Sequence, residues 1–204
     1  RERMHVDDLQ KYCSPDTAAQ YLTMLAAWNI VTPLGRDCFR LVPEHVYSFG
    51  DTFEWLVAQV LIREFYCPAA WGIRFAGTPR GGDYDVIAAV EQYLLYIETK
   101  SSPPKHIEQA DVAAFLDRVE DLRPHFCIFI EDTHLRMKDK IAGLFQLELS
   151  RRSACTRSAS FTVSRLAGEI FSVDEKIFII NSKTDLVANI GFCLKQYLRS
   201  RGVT

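Results

Sequence analysis

Nothing in this chain of 204 residues has the length to cross a membrane as a helix; no run approaches the roughly 18 consecutive apolar residues that a span needs. No basic-then-apolar leader opens it at Arg1. No CxxC pair occurs. The six cysteines, Cys13, Cys38, Cys67, Cys127, Cys155 and Cys193, stand singly, which argues against structural zinc. Most lie in apolar runs and read as reduced core thiols of a cytoplasmic protein. Basic excess is also lacking, with 24 Lys and Arg against 26 Asp and Glu and a net charge of −2. A surface that grips polyanions everywhere is thereby excluded. Any such contact must come from local clusters, such as Arg151-Arg152 with Arg157 and Arg165, or Lys195, Arg199 and Arg201. A solvated face explains each cluster equally well. There is no internal repeat and no low-complexity tract.

What is present is an ordinary globular composition, 48% hydrophobic and 25% charged, in a chain long enough for one larger domain or two small ones. Residues 1–46 read as a small module. Val6 to Tyr12 suits a short helix. Ser14-Pro15-Asp16 starts a second, with Ser14 or Asp16 as cap. Ala18, Tyr21, Leu22, Leu25, Ala26 and Ile30 then recur at helical spacing. A turn over Thr32–Asp37 leads to a strand over Cys38–Val42, and Pro43 closes the module. Helix, turn, helix, hairpin is the order of a winged helix, a fold whose second helix often enters a DNA groove. Yet Asp16 to Trp28 holds no lysine or arginine, and only Arg36 and Arg40, on the wing, are basic nearby. Packing or dimerisation competes with DNA contact as the role of this module.

Residues 47–204 carry a different pattern. Ser48 to Asp51 offers a cap, and Phe53 to Phe65 a helix with a stripe of Phe53, Leu56, Val57, Val60 and Leu61. Trp71 to Phe75 reads as a strand, and 77–82 as a flexible glycine-rich loop with Arg80 in it. A hairpin follows, Asp83–Val90 and Tyr93–Lys100, folded at Glu91-Gln92. Beyond Ser101-Ser102-Pro103-Pro104 comes an amphipathic helix with Ile107, Ala110, Ala114, Phe115 and Val119. Next come a buried strand over Phe126–Ile130, a helix over Lys138–Leu149, an edge segment at Phe161–Val163, a strand over Lys176–Ile180 and a closing helix over Leu186–Leu198. This order predicts an α/β fold with a mixed sheet between helices.

The hairpin holds the chemistry. Asp83 shares a face with Asp85, and Glu98 with Lys100. Pairing across Glu91-Gln92 sets Asp85 opposite Glu98. Opposed carboxylates repel unless a positive charge lies between them. A divalent cation with oxygen ligands, Mg2+ (or Mn2+), resolves that conflict, and Lys100 adds a charge able to hold a phosphate or hydroxide.

Asp85, followed thirteen residues later by Glu98-Thr99-Lys100 in a strand-turn-strand, resembles the PD-(D/E)XK motif of the restriction-endonuclease-like superfamily. The branch most like it holds the Holliday-junction resolvases and the Mrr- and RecB-like nucleases. The motif's proline is absent, as it is in many members. The resemblance spans about residues 50–198 and implies an αβββαβ core. It implies that Asp85 and Glu98 bind the metal, with the Thr99 carbonyl as a further ligand. It implies that Glu54, in the first core helix, reaches the same metal, and that Gln109 helps place phosphate or water. A favourable charge at a helix N-terminus accounts for Glu54 just as well, and a solvent-facing amide for Gln109. Arg80, Ser101, Arg36 and Arg40 are weaker candidates for nucleic-acid contact.

The expectation is a metal-dependent nuclease hydrolysing phosphodiester bonds of DNA, an endonuclease of the restriction or repair and recombination type. A homodimer is in keeping with it, since cutting two strands takes two active sites. The competing expectation is a nuclease-fold module that binds nucleic acid or protein without cutting.

Overall fold

The computed structural model describes residues 3–10, 12–42, 50–76, 83–138, 140–156 and 161–203. Several expectations lie outside them: the 46/47 boundary, Pro43, the Ser48 cap, the loop with Arg80 (77–82) and Arg157.

The chain begins with β1 (Arg3–His5), α1 (Val6–Leu9), α2 (Pro15–Ala27), β2 (Val31–Gly35) and β3 (Cys38–Leu41). Ser14 caps α2, its hydroxyl accepting from the Thr17 amide at 3.3 Å. The strands form a small antiparallel sheet in the order β1-β3-β2. The expected turn over Thr32–Asp37 is mostly strand β2, and β1 was not foreseen. Only Ala18 and Leu22 of α2 are buried; Tyr21 and Ile30, assigned to the buried face, are exposed. A three-stranded sheet has too little area to cover a whole helical stripe.

The larger part runs α3 (Gly50–Glu64), β4 (Ala69–Ile73), β5 (Tyr84–Val90), β6 (Tyr93–Lys100), α4 (Gln109–Leu122), β7 (Phe126–Glu131), α5 (Ile141–Thr156), β8 (Val163–Ala167), β9 (Ile170–Val173), β10 (Ile177–Asn181) and α6 (Leu186–Ser200). Its seven-stranded sheet has the order β4-β5-β6-β7-β10-β9-β8. Strands β6, β7 and β10 are parallel, and the flanking strands antiparallel, so the sheet is mixed. Helices cover both faces. Phe53, Val57 and Leu61 of α3 and Ile190, Cys193 and Tyr197 of α6 pack on one. Val112, Phe115 and Leu116 of α4 and Ile141, Phe145 and Leu149 of α5 pack on the other. The α/β class and the mixed sheet between helices are thus as expected.

The hairpin register is as predicted: Val86 pairs with Ile97 and Val90 with Tyr93, which aligns Asp85 with Glu98 just beyond the ladder. Other details differ. β4 starts and ends two residues before the expected strand, and Leu56 on α3 is exposed. On α4 the alanines 110 and 114 face solvent, while Val112 and Leu116 are buried with Phe115. Small residues carry little hydrophobic weight, so an alanine stripe points poorly. β9 was missed, although it follows a tight turn in which Gly168 has φ +48°. Of the thiols, Cys67, Cys127 and Cys193 are buried and Cys13 and Cys38 half-buried. Among the described residues no helix is long and apolar enough to cross a membrane.

Candidate active site

The site forms where β5 and β6 part. Tyr84 and Val86 share strand parity, yet Tyr84 packs with Tyr96 on the α4 face and Val86 with Val57 on the α3 face. The strand therefore twists through Asp85. Opposite it, between the pairs Trp71–Val86 and Ile73–Tyr84, stands Gly72 with φ +60°. That conformation suits glycine and interrupts the β4–β5 ladder. A Cβ on Gly72 would stand 3.9 Å from Glu54 Oε2, so the start of α3 lies against this break in the ladder.

The twist turns Asp85 toward β6. Its Oδ2 accepts from the Thr99 amide at 2.7 Å and from the Thr99 hydroxyl at 3.1 Å. A residue's N–H and C=O lie on the same edge of a strand, so the Thr99 carbonyl also faces Asp85. The next residue confirms the alternation, since the Lys100 carbonyl accepts from Asp132 on the β7 side. Asp83, expected beside Asp85, is not part of this group. It is half-buried and pairs with Arg74 at 2.6 Å.

Glu98 is 1% exposed. Lys100 Nζ lies 2.9 Å from its Oε1, and Arg118 Nη1 lies 3.1 and 3.0 Å from Oε1 and Oε2. The Tyr96 hydroxyl donates to Oε2. Lys100 also lies 3.7 Å from Asp111, on the first turn of α4.

The electrostatics follow from this crowding. Burial first, then repulsion from Glu98 and Glu54, push the Asp85 carboxyl up to about 7, against the opposing Thr99 amide. Burial, with Asp51, Asp83 and Glu98, also raises Glu54. Burial works against the charge on Lys100, but Glu98 and Asp111 outweigh it and hold its ammonium above the ordinary value. Lys100 is therefore a firm cation at neutral pH rather than a base poised to take a proton.

Two residues unremarked in the sequence belong here. Arg118 lies twenty positions from Glu98, and only the packing of α4 on the sheet joins them. Glu131, the register partner of Lys100 on β7, is fully buried, and neither carboxylate oxygen has a hydrogen-bond partner. Burial, with Asp132, pushes it up to about 8. It ends an apolar strand just as Glu98 does, the one signal by which the sequence marked it.

Gln109 sits on the first turn of α4 as expected, and its amide donates to the Leu144 carbonyl at 3.3 Å and to Glu148 at 3.1 Å, on α5. It ties two helices together. Ser101 follows β6 directly and is half-buried. Arg36 and Arg40 are exposed, in the turn after β2 and on β3 of the other sheet. The Arg151-Arg152 cluster offers little free charge, since Arg152 is bound by Asp117, Glu120 and Glu148.

Among the described residues, no three His, Cys, Asp or Glu side chains converge closely enough to hold a metal ion by themselves. The oxygens that could hold a hard cation are those of the Asp85 carboxylate and the Thr99 carbonyl on one edge, with Glu98, whose oxygens are engaged by Tyr96, Lys100 and Arg118, close enough to repel Asp85.

The chain matches no family model and no curated protein. Solved structures do resemble it. Can2 from Sulfobacillus thermosulfidooxidans, in complex with cyclic tetra-adenylate, aligns with a TM-score of 0.51 at 13% identity, over 88% of this chain and 45% of Can2. The protein VC1899 from Vibrio cholerae aligns at 0.49 and 15%, over 96% and 47%. A protein of unknown function, AF1548, aligns at 0.43 and 15%, over 75% and 67%. The chain thus spans less than half the length of the first two. At these identities the likeness to Can2 concerns the fold.

Proposed function

We propose that this chain is a metal-dependent phosphodiester hydrolase acting on nucleic acid, with DNA as the first substrate to test. One observation carries the reading. Asp85 is held against the Thr99 backbone in a partly buried site where Glu98 and Glu54 repel it, beside the Lys100 ammonium. Carboxylates so crowded need a cation, and the oxygens present suit Mg2+ or Mn2+. Asp85, the Thr99 carbonyl and Glu98 would hold the ion. Bound there, it would lower the pKa of a coordinated water and polarise a phosphoryl oxygen. Lys100 would supply positive charge to the phosphorane-like transition state. Its raised pKa disfavours a role as base. Exposed Trp55 and Trp71, neighbours in sequence of Glu54 and Gly72, offer aromatic faces to bases. Can2, whose structure carries a cyclic oligonucleotide, lends general support and assigns no residue.

The test is cleavage of duplex, single-stranded and branched DNA and of RNA with Mg2+ or Mn2+, with Lys100→Ala as control. Metal-dependent cutting that is lost in the variant is expected. No cutting of any substrate, or cutting indifferent to the change, would overturn the reading.

A binding module without catalysis is the second reading. The engagement of both Glu98 oxygens by Tyr96, Lys100 and Arg118 favours it. Mn2+ titration of the chain and of Asp85→Asn separates the two, because only the hydrolase requires metal at Asp85.

A further inference from the structure

The Glu98 carboxylate already has a cation on each oxygen. Arg118 Nη1 spans both oxygens at 3.1 and 3.0 Å, and Lys100 Nζ holds Oε1 at 2.9 Å. Tyr96 adds a third donor on Oε2. Of these, Lys100 and Tyr96 come from β6 itself, two residues on either side of Glu98 and on its face of the strand, so their placement follows from the strand. Arg118 comes from α4, on a long flexible side chain 22% exposed. The Lys100 side chain is as exposed, at 23%, but Asp111 holds it as well at 3.7 Å, which leaves Arg118 the donor freer to go without moving the sheet. As the site stands, the roughly four lone-pair positions of the carboxylate are all taken, two by Arg118, one by Lys100 on Oε1 and one by Tyr96 on Oε2, so a metal ion can share Glu98 with Asp85 only where a donor gives way.

We propose that Arg118 is a positioning residue that competes with a divalent cation for Glu98. The guanidinium keeps the buried carboxylate neutralised until metal arrives, then turns outward to the partly exposed edge of α4. This rests on the metal-site reading above. Arg118 thereby sets the metal affinity of the site and ties its loading to a movement of one side chain. A purely structural Arg118 would act in the opposite sense: its removal would leave a buried charge unpaired, loosen the hairpin and weaken binding.

Mn2+ binding, measured by electron paramagnetic resonance on the full chain, discriminates between them. Arg118→Gln removes the competing charge and keeps a polar side chain. Arg118→Lys keeps a charge without the two-oxygen grip. Competition predicts Mn2+ affinity about tenfold or more tighter in Arg118→Gln, the scale of one charge-assisted hydrogen bond, with Arg118→Lys between it and wild type. It also predicts that Glu98→Gln in the Arg118→Gln background abolishes the gain. Unchanged or weaker binding in Arg118→Gln, with circular dichroism showing a folded chain, overturns the competition while leaving the metal site standing, provided Asp85→Asn still lowers affinity. Should no variant nor wild type bind Mn2+, the metal reading and the competition fall together. Should Arg118→Gln unfold, the competition is judged on Arg118→Lys, where affinity equal to or below wild type overturns it.

Discussion

Two groups of buried acids lie on the same side of the same sheet and meet opposite fates. Between α4 and α5, Glu148 is 1% exposed and surrounded by donors: Arg151 at 2.6 and 2.9 Å, Arg152 at 2.9 Å and the Gln109 amide at 3.1 Å. Hydrogen bonds from Arg151, then Arg152 and Gln109, outweigh burial and hold its carboxyl down at about 2. At the ends of β5 and β7, on either side of β6, Asp85 and Glu131 are pushed up to about 7 and about 8 by burial and neighbouring acids. One cluster has its charge balanced within the protein, as a helix-to-helix brace. The other holds acids that the chain supplies with too few donors, so they keep protons near neutrality, and an external cation that displaced those protons would stabilise the charged forms. The arginine-rich segment that looked like a polyanion contact is the brace.

The contrast can be broken most forcefully at Lys100. Lys100→Ala should lower metal-dependent cleavage by roughly 10³-fold in a chain that circular dichroism shows to be folded, and a rate within a few fold of wild type would remove Lys100 from the chemistry. Next is the brace. Glu148→Leu leaves Arg152 short of a partner and should cost about 3 kcal/mol in urea denaturation, without changing Mn2+ affinity. An altered affinity would mean that the two regions are coupled.

The pH dependence of stability separates the groups by sign. A carboxyl raised in the folded state keeps its proton when the unfolded chain has lost it, so Glu131 makes stability fall as pH rises from 4.5 towards about 8. Glu148→Leu and Glu131→Gln should therefore change opposite limbs of the curve. Glu131→Gln should flatten the decline above pH 4.5, by on the order of 2 kcal/mol, as read from denaturation at pH 5 and 8. The Glu148 contribution is complete above pH 4.5 and is lost as pH falls towards about 2. The smallest effect is that of ligand: Mg2+ at ten times its dissociation constant should stabilise the wild type by about 1.4 kcal/mol, and Asp85→Asn by less. Equal stabilisation of both would place the ion elsewhere.

Much of this was legible in the sequence because it is local. The hairpin from Tyr84 to Lys100, its two-residue turn and the alignment of Asp85 with Glu98 follow from side-chain alternation about a short polar break. The helices α3, α4 and α6 and the strands β7 and β10 announce themselves by apolar periodicity or by unbroken apolar runs. The family resemblance implied that Glu54 reaches the metal of Asp85; in the structure Glu54 lies against Gly72 and repels the Asp85 carboxylate.

What local pattern could not encode was decided by packing. Gln109 has the same neighbours in sequence whichever way it points, and the approach of α5 turns it to Glu148. Strict alternation puts Asp83 with Asp85, but the twist opposite Gly72 sends one to Arg74 and the other to Thr99. Arg118 meets Glu98 only because α4 lies across β6, and Glu131 is buried beside Lys100 only because β7 runs parallel to that strand. The sequence by itself determined the hairpin that opposes two acids and places a lysine beside them, since two-residue periodicity needs nothing beyond the strand. The tertiary structure alone decided that Arg118 answers Glu98 as well, because that contact joins segments twenty residues apart in the chain.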